Sequence, residues 1–278
     1  MGLGGKMKTI DLQPDEYLGE DGLAYCKNCH TPRVCRIEGR YFPVNCKCRQ
    51  EAYEKAEYER KLQERKAKAE EYRRNSALGK HFRNCTFETA TIIPSNKAVY
   101  QMCQNYCTHA DKMYDAGVGA YLYGVPGVGK THLTACMGNA LADKLYTVLF
   151  TSFVEIESKL KEGFGNNSAQ SAVLRRAETV DFLFLDDIGT ENIKAGTGWL
   201  QTIAFNLINT RINVKKPTIY SSNYRISDLM ANCNYEERTA HRIRCSCVIR
   251  EQLDCENMRE LVRKQNEEKL LRFINGGI

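Results

Sequence analysis

The most informative stretch of this 278-residue chain is Gly124-Val125-Pro126-Gly127-Val128-Gly129-Lys130-Thr131. It fits the pattern G-x-x-x-x-G-K-[ST]. An apolar run ending at Tyr123 precedes it, and a helix-forming stretch from His132 to Lys144 follows. A strand, a glycine-rich loop and a helix in this order are typical of a phosphate-binding loop, because glycines let backbone N–H groups surround a phosphate at the helix N-terminus. We predict that residues 124–132 contact a nucleotide, with Lys130 at the β- and γ-phosphates and the Thr131 hydroxyl on Mg²⁺.

Short apolar runs alternate with helix-forming stretches in the last two thirds of the chain. They occur at Ala120–Tyr123, Val148–Phe150, Phe182–Leu185 and Thr218–Tyr220. Buried runs of this length between helices are typical of a parallel sheet covered on both faces. The sequence therefore predicts an α/β fold with a parallel sheet flanked by helices over residues 81–278.

Polar side chains follow two of these runs. Asp186 and Asp187 come directly after one strand, and Asn223 comes after the next. A carboxylate at a strand end beside a phosphate loop can hold Mg²⁺, so we predict that Asp186 binds Mg²⁺ together with Thr131. Asp187 could polarise the attacking water. Asn223 could orient water near the γ-phosphate, but small polar residues also end ordinary strands.

The cysteines are a second feature of the sequence. There are thirteen, an odd number, which excludes a complete set of disulfides. Cys26 and Cys29 form a C-x-x-C pair, and Cys46 and Cys48 form a C-x-C pair after 16 intervening residues. Two such pairs can hold one tetrahedral Zn²⁺, while packing thiols or a redox pair are alternatives. The segment is too short for an apolar core, so we predict that zinc stabilises it. Spare candidate ligands are Cys35 and His30.

Charge and composition divide the chain. The formal net charge is +6, and residues 1–83 hold 18 Lys+Arg against 13 Asp+Glu. Residues 49–74 lack Gly and Pro and are rich in Ala, Glu, Lys and Arg, which predicts a long solvated helix. We also expect a short helix near Asp15–Leu18. The predicted organisation is a tail and zinc module over 1–48, a linker helix over 49–80 and an ATPase domain with C-terminal lid elements over 81–278.

The sequence gives no indication of a membrane protein. It has no run of about 18 apolar residues, and no apolar stretch follows the basic residues of Met1–Ile10. We therefore expect no membrane partner and a reduced, cytoplasmic location.

Residues 81–278 resemble the AAA+ ATPases, and within them the replicative helicase loaders of the DnaC/DnaI type and related phage loaders. A strand at Thr147–Ser152, between the phosphate loop and the acidic pair, resembles the additional strand of this class. The stretches that carry the likeness are HFRNCTFE (81–88), GVPGVGKTHL (124–133), FLFLDDIG (182–189), TIYSSN (218–223), EERTAHRIR (236–244) and NMR (257–259).

The resemblance assigns further roles. Asn223 matches the sensor-1 position, Arg242 matches the arginine finger that reaches a neighbouring subunit's nucleotide, and Arg259 matches the sensor-2 arginine of the lid. A guanidinium suits the last two roles because it is permanently charged and can clamp two phosphate oxygens. A solvated basic helix face is the alternative for Arg242 and its neighbour Arg238.

The resemblance implies an ATP-dependent loader that binds a hexameric replicative helicase and delivers it onto single-stranded DNA in a bacterial cell, whether bacterial or phage-encoded. ATP, Mg²⁺ and Zn²⁺ would be its cofactors, with self-association through the arginine finger when ATP is bound. Many strong AAA+ motors have Glu where this chain has Asp187, which is one methylene shorter, so we expect weak, switch-like hydrolysis. The alternatives are an AAA+ regulator of transposition and a zinc-dependent DNA-binding adaptor with a structural nucleotide site.

Contacts with single-stranded DNA are less defined in the sequence. Phe164 in the loop Gly163–Ser168 could stack on a base, although a mobile loop is an equal alternative. Arg175, Arg176 and Lys194 could bind backbone phosphates, but scattered basic residues usually only solvate a surface.

Overall fold

The computed structural model of the chain describes residues 11–74, 80–163, 167–191, 198–233 and 235–274. It divides into two compact units, Met1–Lys66 and Ala67–Ile278. The division falls within one long helix, α1 (Lys47–Arg74), as the composition of residues 49–74 predicts. The assignment of functional segments to 1–48, 49–80 and 81–278 stays a prediction.

The first unit contains two antiparallel hairpins before α1. Strand β1 (Glu16–Leu18) pairs with β2 (Ala24–Cys26), and β3 (Val34–Ile37) pairs with β4 (Arg40–Pro43). The expected short helix near Asp15–Leu18 is therefore wrong. A helix of four residues would contain at most about one main-chain hydrogen bond. Pairing with β2 instead satisfies backbone groups of both strands.

Helix α1 is held mainly by its own charges over its first five turns. Ion pairs one turn apart join Arg60 to Glu64 at 2.5 Å and Lys61 to Glu57 at 3.3 Å. Its buried residues Ala69 and Tyr72 lie near its C-terminal end. Such exposed pairs contribute only a few tenths of a kcal/mol each, so a solvated helix needs several of them.

The second unit continues α1 into an α/β domain. Its helices are a short 3₁₀ turn (Lys80–Asn84), α2 (Lys97–Thr108), α3 (Ala110–Ala116), α4 (Lys130–Asp143), α5 (Phe153–Glu162), α6 (Asn167–Thr179), α7 (Trp199–Asn213), α8 (Ile226–Cys233), α9 (Glu237–Ser246) and α10 (Met258–Ile274). Its strands are β5 (Gly119–Tyr123), β6 (Val148–Thr151), β7 (Phe182–Ile188), β8 (Thr218–Ser222) and β9 (Cys247–Gln252).

The five strands form one parallel sheet in the order β6-β7-β8-β5-β9. Helices cover both faces, and two large apolar clusters lie on them: Tyr121, Leu183 and Tyr220 belong to one, and Leu122 and Phe184 to the other. Complete burial of such side chains contributes roughly 1.5–3 kcal/mol each. The α/β prediction is confirmed. The sequence did not predict β9, whose alternating buried and exposed residues differ from the wholly apolar inner strands.

A buried arginine joins the elements at the N-terminal edge of this sheet. Arg211 of α7 is 1% exposed. Its guanidinium donates to five main-chain carbonyls, among them those of Val180 at 2.9 Å and Pro217 at 2.6 Å, and to the Thr218 hydroxyl at 2.9 Å. These acceptors flank the starts of β7 and β8, so Arg211 fixes the two strands whose far ends carry Asp186, Asp187 and Asn223.

Within the described ranges, none of the helices combines the length and the apolar character that crossing a bilayer requires.

Candidate functional site

The phosphate loop lies between β5 and α4, as predicted. The Lys130 ammonium is 5% exposed and donates to the carbonyls of Gly124 at 2.9 Å and Val125 at 3.2 Å. It also donates to the Asn223 side-chain oxygen at 2.8 Å. The structure therefore brings the lysine of the loop and the polar end of β8 together.

The loop needs glycine at its centre. Gly127 has a φ of +94°, and a Cβ there would lie 2.5 Å from the Asn257 side-chain oxygen. The Gly127 carbonyl accepts a hydrogen bond of 2.9 Å from the Met258 amide. Asn257 in turn accepts from the Arg259 amide at 3.0 Å and caps α10. The loop and the N-terminus of α10 are thus joined directly.

The carboxylates lie at the C-terminal end of β7. The Thr131 hydroxyl donates to Asp186 at 3.2 Å, and the Ser221 hydroxyl donates to the same carboxylate. Ser221 also accepts from the Asp187 amide at 2.9 Å. The register of β7 against β8 shifts after Leu185, and Asp187 has a φ of +51°. Successive side chains of a regular strand already alternate between its faces, so this irregularity changes the direction in which the Asp187 side chain leaves the strand end.

Burial dominates the electrostatics of this site. It raises the pKa of the Asp187 carboxyl, and the neighbouring Asp186 carboxylate adds to the effect while Lys130 opposes it. Burial also lowers the pKa of the Lys130 ammonium, against the attraction of both carboxylates. Each charge is therefore costly by itself and is stabilised by its opposite.

A cavity of about 830 Å³ lies over the loop. Lys130, Thr131, Asp187 and Asn223 line it, together with the predicted lid arginine Arg259. Sequence reasoning missed several of its other lining residues. They are Phe82, Thr91 and Tyr100 on one side and, on α10, Met258, Val262, Arg263, Asn266, Glu267 and Leu270.

His132 also lines the cavity, and its Nδ1 lies 3.2 Å from the Tyr100 hydroxyl. Tyr100 comes from α2, far from the loop in sequence, so no local motif could have identified it. Ser221 could have been identified, because it lies in the same polar strand end as Asn223.

Arg242 lies apart from this cavity in the described structure. It is half-buried on α9, with its guanidinium carbon 5.5 Å from the centre of the Phe205 ring, and Arg238 lies 4.2 Å from the same ring. The structure of one chain does not bring Arg242 to its own phosphate loop.

The four predicted zinc ligands come together in the first unit. The sulfur atoms of Cys26, Cys29, Cys46 and Cys48 all lie within 4.8 Å of one another, and no other such group occurs in the residues that the structure describes. The Cys48 sulfur lies 3.5 Å from that of Cys26 and 3.4 Å from that of Cys46. Tetrahedral Zn–S bonds of about 2.3 Å place sulfurs about 3.8 Å apart, so the donor set fits zinc. The spare candidates Cys35 and His30 are not part of this group.

A buried arginine lies beneath the cysteine cluster. Arg33 is 4% exposed and donates to the Cys26 sulfur at 3.4 Å and to Asp15 at 2.5 Å. Its hydrogen bond lowers the pKa of the Cys26 thiol to about 7. A cation at this distance favours the thiolate, which is the form that binds metal.

The candidate DNA contacts are only partly described. Phe164 and Lys194 lie outside the described residues. The expected loop Gly163–Ser168 is shorter than predicted, because α6 begins at Asn167. The guanidinium carbon of Arg176 lies 4.5 Å from the centre of the Tyr72 ring, and one of its guanidinium nitrogens lies 4.0 Å from the Glu71 carboxylate, so Arg176 already contacts other residues of the protein.

Comparison with known proteins finds similarity to replicative helicase loaders. The chain is 28% identical over 220 residues to the replicative helicase loader DnaI of Bacillus subtilis, covering 77% of this chain and 68% of DnaI. It is 25% identical over 159 residues to the replicative helicase loader DnaC of Escherichia coli, covering 56% of this chain and 58% of DnaC. A crystal structure of the DnaC helicase loader superimposes with a TM-score of 0.54 and 24% identity, over 63% of this chain and 98% of that one.

The sequence profile of the bacterial DnaA ATPase domain matches residues 82–249. The match covers more than half of the chain and contains the phosphate loop, both aspartates and Asn223. The chain therefore belongs to the family of the bacterial DnaA ATPase domain, and it is similar to the helicase loaders DnaI and DnaC.

Proposed function

We propose that this protein is an ATP-dependent helicase loader, which binds a replicative DNA helicase and delivers it onto single-stranded DNA. The observation that carries the nucleotide part is a cavity lined by Lys130, Thr131 and Asn223 in a DnaA-type ATPase domain, where Lys130 donates to Asn223 and Thr131 donates to the adjacent Asp186. The similarity to DnaI over 220 residues supports the loading part.

The residues present fit a magnesium ion. Thr131 and Asp186 offer the hydroxyl and carboxylate oxygens that Mg²⁺ prefers, and they lie 3.2 Å apart. When bound, Mg²⁺ neutralises charge on the phosphate oxygens. Ser221 holds the Asp186 carboxylate in place, so we assign it a supporting role.

Hydrolysis is proposed to use Asp187 and Asn223. Asp187 lines the cavity and its side chain is one methylene shorter than glutamate, so its reach to an attacking water is reduced. Asn223 would orient the γ-phosphate or the water while Lys130 binds the phosphates. We expect slow turnover that works as a switch; steady hydrolysis as fast as that of a translocating motor would contradict it.

Arg242 is proposed to act in a neighbouring subunit. It lies away from its own loop and is half-buried on α9, and a guanidinium there could reach a phosphate across an interface between copies. Arg242→Ala should lower kcat while the affinity of each subunit for ATP stays the same. Loss of affinity instead would indicate that Arg242 serves its own site.

The N-terminal unit is proposed to be a zinc module that docks on the helicase. Cys26, Cys29, Cys46 and Cys48 would hold one Zn²⁺, which fixes the β1–β2 hairpin to the start of α1. The metal would thereby replace the apolar core that so short a segment lacks.

The loading proposal is tested by capture and by delivery. The full chain is used as bait with the replicative helicase of a bacterial host, with and without ATP, and helicase delivery to a protein-coated single-stranded circle is followed by strand displacement. Lys130→Ala is the matched control, because it removes the phosphate contact but leaves the zinc module intact. Helicase capture with ATP-dependent delivery supports the proposal, and failure to bind the helicase would refute it. The setting of such a reaction is the cytoplasm of a bacterial cell.

A further inference from the structure

Glu191 and Tyr235 form a buried polar pair outside the nucleotide cavity. The Tyr235 hydroxyl donates to the Glu191 carboxylate, and each residue is only 5% exposed. Burial raises the pKa of the Glu191 carboxyl, and the hydrogen bond from Tyr235 opposes that shift. Neither residue lines the cavity over the phosphate loop. The pair therefore has no part in the proposed chemistry, although burying an acid is costly.

Glu191 stabilises the turn that follows β7, the strand whose C-terminal end carries Asp186 and Asp187. The second Glu191 oxygen accepts from the Gly189 amide at 2.9 Å. The Thr190 amide and hydroxyl both donate to the Asp187 carbonyl, at 3.2 and 2.7 Å. The backbone that leaves Asp187 is thus closed into a turn, and Glu191 fixes its geometry.

Tyr235 lies next to α9, the helix that carries the proposed arginine finger Arg242. Tyr235 comes two residues before α9, and its amide donates to the Leu229 carbonyl of α8 at 3.1 Å. Helix α9 then carries Arg242. The Tyr235 hydroxyl therefore joins the start of α9 to the end of β7 by a single side-chain contact.

The turn also packs tightly against α8. A Cβ on Gly189 would lie 2.9 Å from the Cys233 sulfur and 3.1 Å from a Leu229 methyl carbon, and Gly189 has a φ of +95°. The turn therefore has little free space on this side, and a displacement toward α8 would press on Leu229 and Cys233. An apolar pair would fill the same space without the cost of a buried acid, so stability alone does not account for this contact.

We propose that the Glu191–Tyr235 hydrogen bond is a positioning contact, which fixes the arginine-finger helix α9 relative to the catalytic end of β7 in the same subunit. It rests on the proposed trans role of Arg242. The contact couples the state of one subunit's Asp187 to how that subunit presents Arg242 to its neighbour. Glu191 and Tyr235 touch neither nucleotide nor metal in this role.

Tyr235→Phe tests the contact because it removes one hydroxyl and keeps the ring. Tyr106→Phe is the matched control: its buried hydroxyl donates to the Val118 carbonyl at 2.6 Å, away from α9. The dissociation constant of a fluorescent ATP analogue and kcat at saturating protein concentration are measured for both. Networks of this kind alter coupling by about 0.5–2 kcal/mol, so kcat of Tyr235→Phe should fall about 2- to 30-fold while the dissociation constant changes less than about twofold.

A double variant separates positioning from general destabilisation. If the contact acts through Arg242, adding Tyr235→Phe to Arg242→Ala lowers kcat no further. A multiplicative loss in the double variant, or a loss of the same size in Tyr106→Phe, overturns the proposal. Glu191→Gln serves as the second variant if Tyr235→Phe does not fold, and it should show the same dependence on Arg242.

The outcomes also separate this inference from the function beneath it. If Arg242→Ala lowers kcat and Tyr235→Phe does not, the positioning role of Tyr235 is wrong, while the assignment of Arg242 as the arginine finger is supported. If Arg242→Ala leaves kcat unchanged, the finger assignment fails and the positioning role fails with it.

Discussion

Replacement of Arg211 by Met should destabilise the second unit strongly. Methionine fills much of the same volume but donates no hydrogen bond. Arg211 is 1% exposed and serves five main-chain carbonyls and the Thr218 hydroxyl. The carbonyls belong to the backbone, so no compensating substitution can remove them.

The structure sets the size of this effect. A lost hydrogen bond of this kind costs about 1 kcal/mol, and a buried acceptor left without a partner costs about 1–3 kcal/mol. Six contacts at about 1 kcal/mol each give a loss of about 6 kcal/mol before any compensation. Release of a buried cation from its desolvation offsets part of it, so we expect a loss of about 3–5 kcal/mol in the free energy of unfolding. Arg211→Lys, with one donor group in place of a fork, should lose roughly half as much.

Trp199 offers a local probe for the measurement. It is the single tryptophan of the chain and begins α7, the helix that carries Arg211. Urea unfolding is followed by its fluorescence, with Arg176→Met as the control. Arg176 packs on Tyr72 and lies 4.0 Å from the Glu71 carboxylate, but it is partly exposed, so its loss should cost less than about 1 kcal/mol. A loss below about 1 kcal/mol for Arg211→Met would show that water replaces the guanidinium at the carbonyls, and it would contradict the structural role assigned to Arg211.

Three further predictions concern the site residues. Cys46→Ser should lower the zinc content well below one ion per chain, as measured by mass spectrometry of the metal. Cys35→Ser is the control and should leave the zinc content unchanged. Equal losses of zinc in the two variants would contradict the assignment of ligands. Arg33→Met should speed the release of zinc to a chelator, because a cation no longer offsets the thiolate charge; an unchanged rate would show that Arg33 only anchors β1. Asp187→Asn should lower kcat by about 10²- to 10⁴-fold. The same variant should raise the free energy of unfolding at pH 7. The folded pKa of Asp187 lies above its ordinary value, so the ionised form costs stability once pH exceeds that value; a lower melting temperature would contradict this.

The structure places residues where the sequence predicted them in stretches whose chemistry restricts the residue types. A phosphate loop needs glycines, a lysine and a hydroxyl in a fixed order, so Gly127, Lys130 and Thr131 could be identified from the sequence motif alone. The carboxylates followed because parallel strands end at one edge of a sheet. The same reasoning could not find Tyr100 or Glu191, whose partners lie tens of residues away and are brought near only by the fold.

The failures have physical causes as well. Strand β9 was missed because it lies at the edge of the sheet and exposes alternate residues, including Val248 and Arg250. A wholly apolar run is typical only of strands buried on both faces. The helix expected near Asp15–Leu18 was wrong although the turn could have been identified, because Asp21-Gly22 between this segment and Ala24–Cys26 is a residue pair typical of hairpin turns.

The missed strand changes how the lid is understood. Leu253, just after β9, donates its amide to the Tyr123 carbonyl at 2.7 Å, and Met258 donates to Gly127 at 2.9 Å. The end of β5 and the phosphate loop itself are therefore both hydrogen-bonded to the segment between β9 and α10. The Gly127 backbone lies close to Asn257, since a Cβ there would meet the Asn257 side-chain oxygen at 2.5 Å. The phosphate loop and the N-terminus of α10, which carries Arg259, are thus in direct contact within one chain, and we expect a change in the loop backbone to be passed to α10 through these contacts.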